Sequence, residues 1–372
     1  MYIPESIAPI IKVVENCNYN CGFCRYANHP PTGDSIMSLE LCKKLLYEVC
    51  AYNYEHGRKY AQFIFHGGEP LLWGKHRYEE ILKYEEELKK MFPELVIENG
   101  MQSNGYLIDD EWIELFKKMD MHVGISLDGP AEMNFHYGTD GNEPSIQRVI
   151  GNIHKLQENK LTNGILSVIT DKHLGHEQEY FDFLNKHNLP SSGFCYCYNP
   201  RDEISIDPLD LAGFLCKSFD IYYHAKKSVR IREFDNILLK LYGRPGRNCV
   251  FGERVRCGNF PAFSPNGNVG FCDEYEADTA IIGDYTKQSL KEILESDVYQ
   301  EARVLYTTAT TGACVDCEWR CVCGCGCARN DIGEGAERKS YFCETYKKLY
   351  AHIAETVKND SRLEEENKNI VK

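Results

Sequence analysis

Eleven of the 18 cysteines in this 372-residue chain fall into two spaced sets. The first is Cys17-x3-Cys21-x2-Cys24, within ENCNYNCGFCRY. The second is Cys249, Cys257, Cys272, Cys314, Cys317, Cys323, Cys327 and Cys343. Such spacing constrains a fold strongly, because the backbone between ligands must wrap the metal group they share. Three thiolates hold three irons of a four-iron cluster and leave the fourth iron open. Eight thiolates close two further clusters of four ligands each. That inventory points to electron chemistry. The competing use of Cys-x2-Cys pairs is a tetrahedral zinc site.

The remaining composition is ordinary for a globular chain, 43% hydrophobic and 26% charged. No apolar run reaches the length of a membrane span. The opening residues, MYIPESIAPI, lack the basic and long apolar regions of a signal peptide, so a cytoplasmic location is expected. Thiols stay reduced there, and clustered cysteines read as ligands rather than disulfides. The net charge of −14 repels a phosphate backbone, and the short basic stretch Arg244–Arg247 does not offset it. Nucleic acid and membrane are therefore not the expected partners. A peptide or small molecule is, with basic substrates favoured by the field.

Residues from about 9 to 197 alternate strand-like and helix-like segments. Strands are predicted at Pro9–Glu15, Ala61–His66, Leu95–Ser103, His122–Leu127, Ile165–Thr170 and Gly193–Tyr198, short and apolar as buried parallel strands are. Helices are predicted at Ser38–His56, His76–Met91, Asp109–Met119, Ser145–Asn159 and Gly175–Asn188, with Ser38 and Asp109 as N-caps. Six β-α repeats predict an α/β fold with a parallel sheet, either open or closed as part of a barrel, with chemistry at the C-terminal strand ends. A helical stretch at Asp207–Ala225 leads away, and YGRPGR at 242–247 marks a boundary. Beyond it the chain is Gly- and Cys-rich. FSPNGNVGFC predicts a hairpin turned at Asn266-Gly267, in a module expected to depend on metal rather than core. A last helix, Glu344–Lys358, runs into a charged tail. The expected division is 1–200, a helical linker 201–248, a cysteine-rich domain 249–350, and a tail 351–372.

Cys-x3-Cys-x2-Cys after the first strand of such a unit resembles the radical S-adenosylmethionine (SAM) superfamily. The resemblance implies a partial (β/α)6 TIM-like barrel, with SAM bound on the open iron through its amino and carboxylate groups. Cleavage of SAM then yields a 5′-deoxyadenosyl radical. Further segments match in order. His66-Gly67-Gly68-Glu69-Pro70 resembles the GGEP motif, where glycines admit close backbone approach and a carboxylate suits the SAM ammonium. Ser103 and Asn104 end the third strand, and Ser126 and Asp128 the fourth. Phe23 matches a residue whose backbone meets adenine. Relatives often carry an Arg beyond SLDGP; here Phe135-His136-Tyr137-Gly138 stands there, leaving Arg148 as the candidate for the SAM carboxylate.

The second cysteine set resembles the SPASM extension of peptide-modifying radical SAM enzymes. The resemblance implies two auxiliary [4Fe–4S] clusters, three in all. One is held by Cys249, Cys257, Cys272 and Cys327, the other by Cys314, Cys317, Cys323 and Cys343. Cys321 and Cys325 interleave with these, and a shift by two residues would exchange ligands. Asp273, directly after Cys272, matches the base of anaerobic sulfatase-maturating enzymes, and Tyr26 matches a substrate-contacting Tyr of that branch. The leading expectation is oxidative crosslinking of a ribosomally made peptide, as a cyclophane or thioether. The alternative is the sulfatase maturase, which converts Cys or Ser to formylglycine. A non-catalytic metal scaffold would not need the SAM positions. A flavodoxin or ferredoxin is the expected electron donor. With the cluster loop starting at residue 17, leader recognition is expected outside an N-terminal domain.

Overall fold

A computed structural model of the chain describes residues 7–24, 35–134, 142–162, 164–199, 204–225, 229–246, 249, 256–275, 280–307, 312–334 and 337–358. The chain divides into two compact units. One is Met1–Val168 with Arg256–Thr307, and the other Ile169–Val255 with Thr308–Lys372.

In the first unit strands and helices alternate as β1 (Ile10–Val14), α1 (Leu39–Glu55), β2 (Tyr60–Gly67), α2 (Lys75–Met91), β3 (Val96–Ser103), α3 (Asp110–Met119), β4 (Met121–Ser126), α4 (Asn142–Glu158) and β5 (Ile165–Ile169). Both predicted caps are made. Ser38 accepts from Leu41 N at 3.1 Å, and Asp109 from Trp112 N at 2.9 Å. Strands β1 to β5 pair in parallel, with Ile10 opposite Ile64, Phe63 opposite Asn99 and Gln102 opposite Gly124. Burial alternates along them rather than running continuously. On β2, Ala61, Phe63 and Phe65 are buried while Gln62, Ile64 and His66 are not. One face is thus sealed by helices, and the other keeps polar groups such as Glu98, Gln102 and His122. The sealed side is wedged by aromatics. Tyr78 meets Phe65, Trp73 and Trp112 edge-on at 5.3, 5.1 and 5.5 Å. Burying each such ring stabilises the unit by about 2–3 kcal/mol.

The later part of this unit, which follows strands of the second unit in the chain, adds β8 (Ala262–Phe263), β9 (Asn268–Gly270), β10 (Ile281–Asp284), α8 (Leu290–Glu295) and α9 (Asp297–Thr307). The strand order here is β10-β9-β8-β1-β2-β3-β4-β5. The predicted hairpin is β8–β9, and Gly267 at its turn has φ +91°. An expectation fails in this segment. It has a core of its own, with Val269, Phe271, Leu290, Ile293 and Tyr299 buried, so metal is not its only support. Lys44 of α1 donates to Tyr285 O and Gln288 O at 2.9 Å each. Leu290 N donates to Glu48 of the same helix.

The second unit holds α5 (Glu177–Lys186), β6 (Ser191–Tyr196), α6 (Pro208–His224), β7 (Arg230–Ile231), α7 (Arg232–Leu241) and α10 (Cys343–Val357). β6 and β7 pair in parallel. α6 and α10 pack together and are tied by Thr345 Oγ1 donating to Pro208 O at 2.6 Å and by His352 with Asp220 at 2.7 Å. Among the described residues no helix is long and apolar enough to cross a membrane. The fold is α/β with a parallel sheet, as the sequence predicts.

Candidate active site

The cysteine loop leaves β1 at Val14 and is held from beneath by the end of β2. Gly68 N donates to Val14 O at 2.8 Å, and Glu69 N to Asn16 O at 3.0 Å. No side chain fits here. A Cβ on Gly67 would stand 2.0 Å from Val14 O, and one on Gly68 2.3 Å from Asn16 O. The glycines of GGEP therefore serve the cluster loop itself. Within the loop Tyr19 N reaches Cys17 Sγ at 3.3 Å, and Cys24 N bonds Cys21 O at 3.0 Å. Burial pushes the Cys17 thiol up to about 12. A thiolate there needs a cation, which iron supplies. Phe23 lies in the same loop and is half-buried.

Glu69 is fully buried and gathers the strand ends. It accepts from Ser103 Oγ at 2.9 Å, Asn104 N at 2.8 Å and Leu71 N at 3.1 Å. Burial nevertheless pushes its carboxyl up to about 7. A cationic ligand beside it would restore the carboxylate, so this pocket fits an ammonium group. Asn104 then bridges to the cysteine loop, donating to Asn18 Oδ1 at 2.9 Å, and its Nδ2 stands 3.8 Å from Cys17 Sγ. The structure thus joins Cys17, Gly67, Gly68, Glu69, Ser103 and Asn104 in one network.

The other predicted contacts lie apart from that network. Ser126 accepts from Gln102 Nε2 at 2.9 Å. Asp128 is buried and accepts from Val168 N at 2.8 Å, which fastens β4 to β5. Arg148 is exposed on α4, with its guanidinium 4.3 Å from the Tyr106 ring centre. Tyr106 N in turn donates to Asn104 Oδ1 at 3.0 Å. Tyr26 and the segment Phe135–Gly138 lie outside the described residues.

Asp273 has a partner that sequence reading passed over. Lys12 Nζ stands 2.8 Å from Asp273 Oδ1, and Lys12 is 2% exposed. His66 faces the other carboxylate oxygen at 3.9 Å. Because His66 Nδ1 accepts from Gly67 N at 2.8 Å, the neutral ring carries its proton on Nε2, toward Asp273. A lysine within the apolar run IIKVV is the signal that could have found this pair. An ammonium is not buried without an anion.

Cys257 and Cys272 lie in the first unit, and Cys249 and Cys327 in the second. Cys314, Cys317, Cys323 and Cys343 all lie in the second unit and line one cavity. Cys325 lines it too, whereas Cys321 is exposed. Burial pushes the Cys323 thiol up to about 12. Tyr350 lines the same cavity, with a buried hydroxyl that finds no partner at hydrogen-bonding geometry and bears on Cys323 as a donor. A buried phenol bearing on a thiol fits a sulfur-rich acceptor. Among the described residues no three His, Cys, Asp or Glu converge on a single-ion position. A four-iron cube does not require such convergence, since each thiolate takes a different iron.

Comparison with known proteins bears on the whole arrangement. Residues 11–184 match the Radical SAM superfamily, and residues 257–321 match SPASM, an iron–sulfur cluster-binding domain. The chain is 27% identical to a cysteine-type anaerobic sulfatase-maturating enzyme of Clostridium novyi, over 93% of this chain and 95% of that one. It is 24% identical to a serine-type enzyme of Bacteroides thetaiotaomicron, over 91% and 87%. The solved structure of native anSMEcpe with bound AdoMet superposes at TM-score 0.81 and 25% identity, covering 95% of this chain and 98% of that one. SuiB of Streptococcus suis bound to its precursor peptide SuiA superposes at 0.64 and 16%, covering 91% and 76%, a likeness of fold. With a SAM-binding cluster domain, auxiliary [4Fe–4S] clusters and the matching fold, this chain is an enzyme of the radical SAM superfamily with a SPASM domain.

Proposed function

We propose that this enzyme oxidises a Cys or Ser side chain of a sulfatase-like peptide to formylglycine. The likeness to sulfatase-maturating enzymes over nearly the full length of both chains carries this reading. It displaces the crosslinking that leads among the sequence expectations, which keeps only a likeness of fold to support it.

Bound SAM and the clusters supply a hydrogen-abstracting radical and an electron sink. The chain's own residues do the rest. Glu69, held by Ser103 and Asn104, would take the SAM ammonium, and Cys17, Cys21 and Cys24 would hold the cluster. Asp273 takes the proton of the substrate thiol or hydroxyl as the Cβ–H bond is broken. Lys12 holds one carboxylate oxygen at 2.8 Å and His66 stands 3.9 Å from the other, so the carboxylate keeps a fixed orientation for the substrate. For a Cys substrate the two-electron oxidation gives a thioaldehyde, and water then releases sulfide. For Ser it gives the aldehyde directly. A flavodoxin- or ferredoxin-like protein supplies the electron, and the net charge of −14 favours a peptide over nucleic acid as substrate.

The test is anaerobic incubation of the reconstituted enzyme with SAM, reductant and sulfatase-derived peptides carrying Cys or Ser. Mass spectrometry and an aldehyde probe read the product. An aldehyde on either peptide is expected. SAM cleavage with both peptides unchanged would refute the reading.

A further inference from the structure

A four-iron cluster has four irons to hold, and the cavity of the second unit presents five thiols. Cys314, Cys317, Cys323, Cys325 and Cys343 all line it. Sequence spacing alone leaves the choice within Cys321-Val-Cys323-Gly-Cys325-Gly-Cys327 open. The structure narrows that choice to two residues. Cys321 is exposed, Cys325 is buried at 6% exposure, and Cys323 stands with it in the cavity.

The backbone at Cys325 is unusual. Gly324, Cys325 and Gly326 have φ of 63°, 68° and 69°, three successive residues in the left-handed region. Two are glycines, which enter it freely. An L side chain resists it, so a cysteine between two glycines holds a position that a third glycine would occupy with less strain. A hydrophobic core gains nothing particular from sulfur here, whereas a cluster cavity gains a ligand.

We propose that Cys323 and Cys325 are alternative ligands for one iron of the second auxiliary cluster. Either thiolate closes the site when the other is absent or oxidised. The exchange is redox-neutral. One iron–sulfur bond breaks and another forms; the entering thiol gives up its proton and the departing thiolate takes one up. The inference rests on the iron–sulfur character of the chain and is independent of which side chain the enzyme oxidises.

The experiment is iron and sulfide analysis with EPR of the reduced, anaerobically purified holoenzyme, for C323S, C325S, C323S/C325S and C321S. Both single variants in the cavity are expected to keep the iron content of the parent. The double variant leaves three thiolates and one iron without a protein ligand, so it is expected to lose at least one iron per chain and to change the EPR signal of that cluster, and C321S is expected to match the parent. Loss of the same iron by either single variant as by the double would overturn the proposal. If C323S does not fold, C323A read in the same way decides. In C323S the iron passes to Cys325, which is expected to change the EPR signal or the midpoint potential of that cluster while the iron stays, and an unchanged spectrum and potential in C323S would overturn the proposal.

Discussion

Asp273, Lys12 and Glu85 show how single side chains carry the account. Asp273→Asn removes the proposed base and leaves the Cys17 loop intact. Peptide oxidation is expected to fall by about 10²- to 10⁴-fold while SAM binding persists, read by product mass and by equilibrium binding. Loss of SAM binding with it would place Asp273 among the SAM contacts instead. Lys12 carries a signal of its own inside the apolar run IIKVV, but its partner Asp273 is distant in sequence and is found only once the strand order β9-β8-β1 is placed. Glu85 gives a separate prediction. It is 1% exposed on α2 and accepts from Asn99 Nδ2 at 3.1 Å, yet burial pushes its carboxyl up from 4.5 to about 7. A carboxyl with a raised folded pKa binds its proton more tightly folded than unfolded. Its proton-linked stability is therefore full below about 4.5 and lost as pH rises toward 7. Glu85→Gln keeps the shape without the charge. Near pH 8 it is expected to gain roughly 3 kcal/mol over the parent, with the gain vanishing near pH 4.5. Thermal unfolding across pH measures it, and a gain independent of pH would exclude the linkage.

At the scale of elements, legibility follows local signal. Strands β1 to β6, helices α1 to α6 and the β8–β9 hairpin were readable from periodicity, caps and the Asn266-Gly267 turn. Helices α7, α8 and α9 were not read. For α8 a signal was present, since Ser289 and Glu292 form a reciprocal capping box. The surrounding cysteines drew the segment toward a metal-held loop. The network that binds Glu69 to Ser103 and Asn104 needed the sheet register before it could be seen. The tightest joint between elements is GGEP beneath the cysteine loop, where a Cβ on Gly68 would meet Asn16 O at 2.3 Å. Gly68→Ala is therefore expected to displace the loop and lower the iron content by the share of one cluster. Iron analysis and the EPR signal of the SAM-binding cluster report it. Full iron with an unchanged signal would show that the loop accommodates the methyl group.

For the whole molecule, charge and composition bear on partners rather than fold. A net charge of −14 attracts peptides rich in Lys and Arg, and salt screens that attraction over about 8–10 Å. The KM for a basic substrate peptide is expected to rise several-fold between low and high salt, with kcat steady. A KM indifferent to salt would confine recognition to short-range contacts. The central claim concerns one bond, the Cβ–H of the substrate residue. A peptide deuterated at Cβ of its Cys or Ser, incubated anaerobically with the holoenzyme, SAM and reductant, tests it most directly. Deuterium in the 5′-deoxyadenosine together with an aldehyde on the peptide is the predicted result. Unlabelled 5′-deoxyadenosine, or a crosslinked peptide without aldehyde, would contradict it.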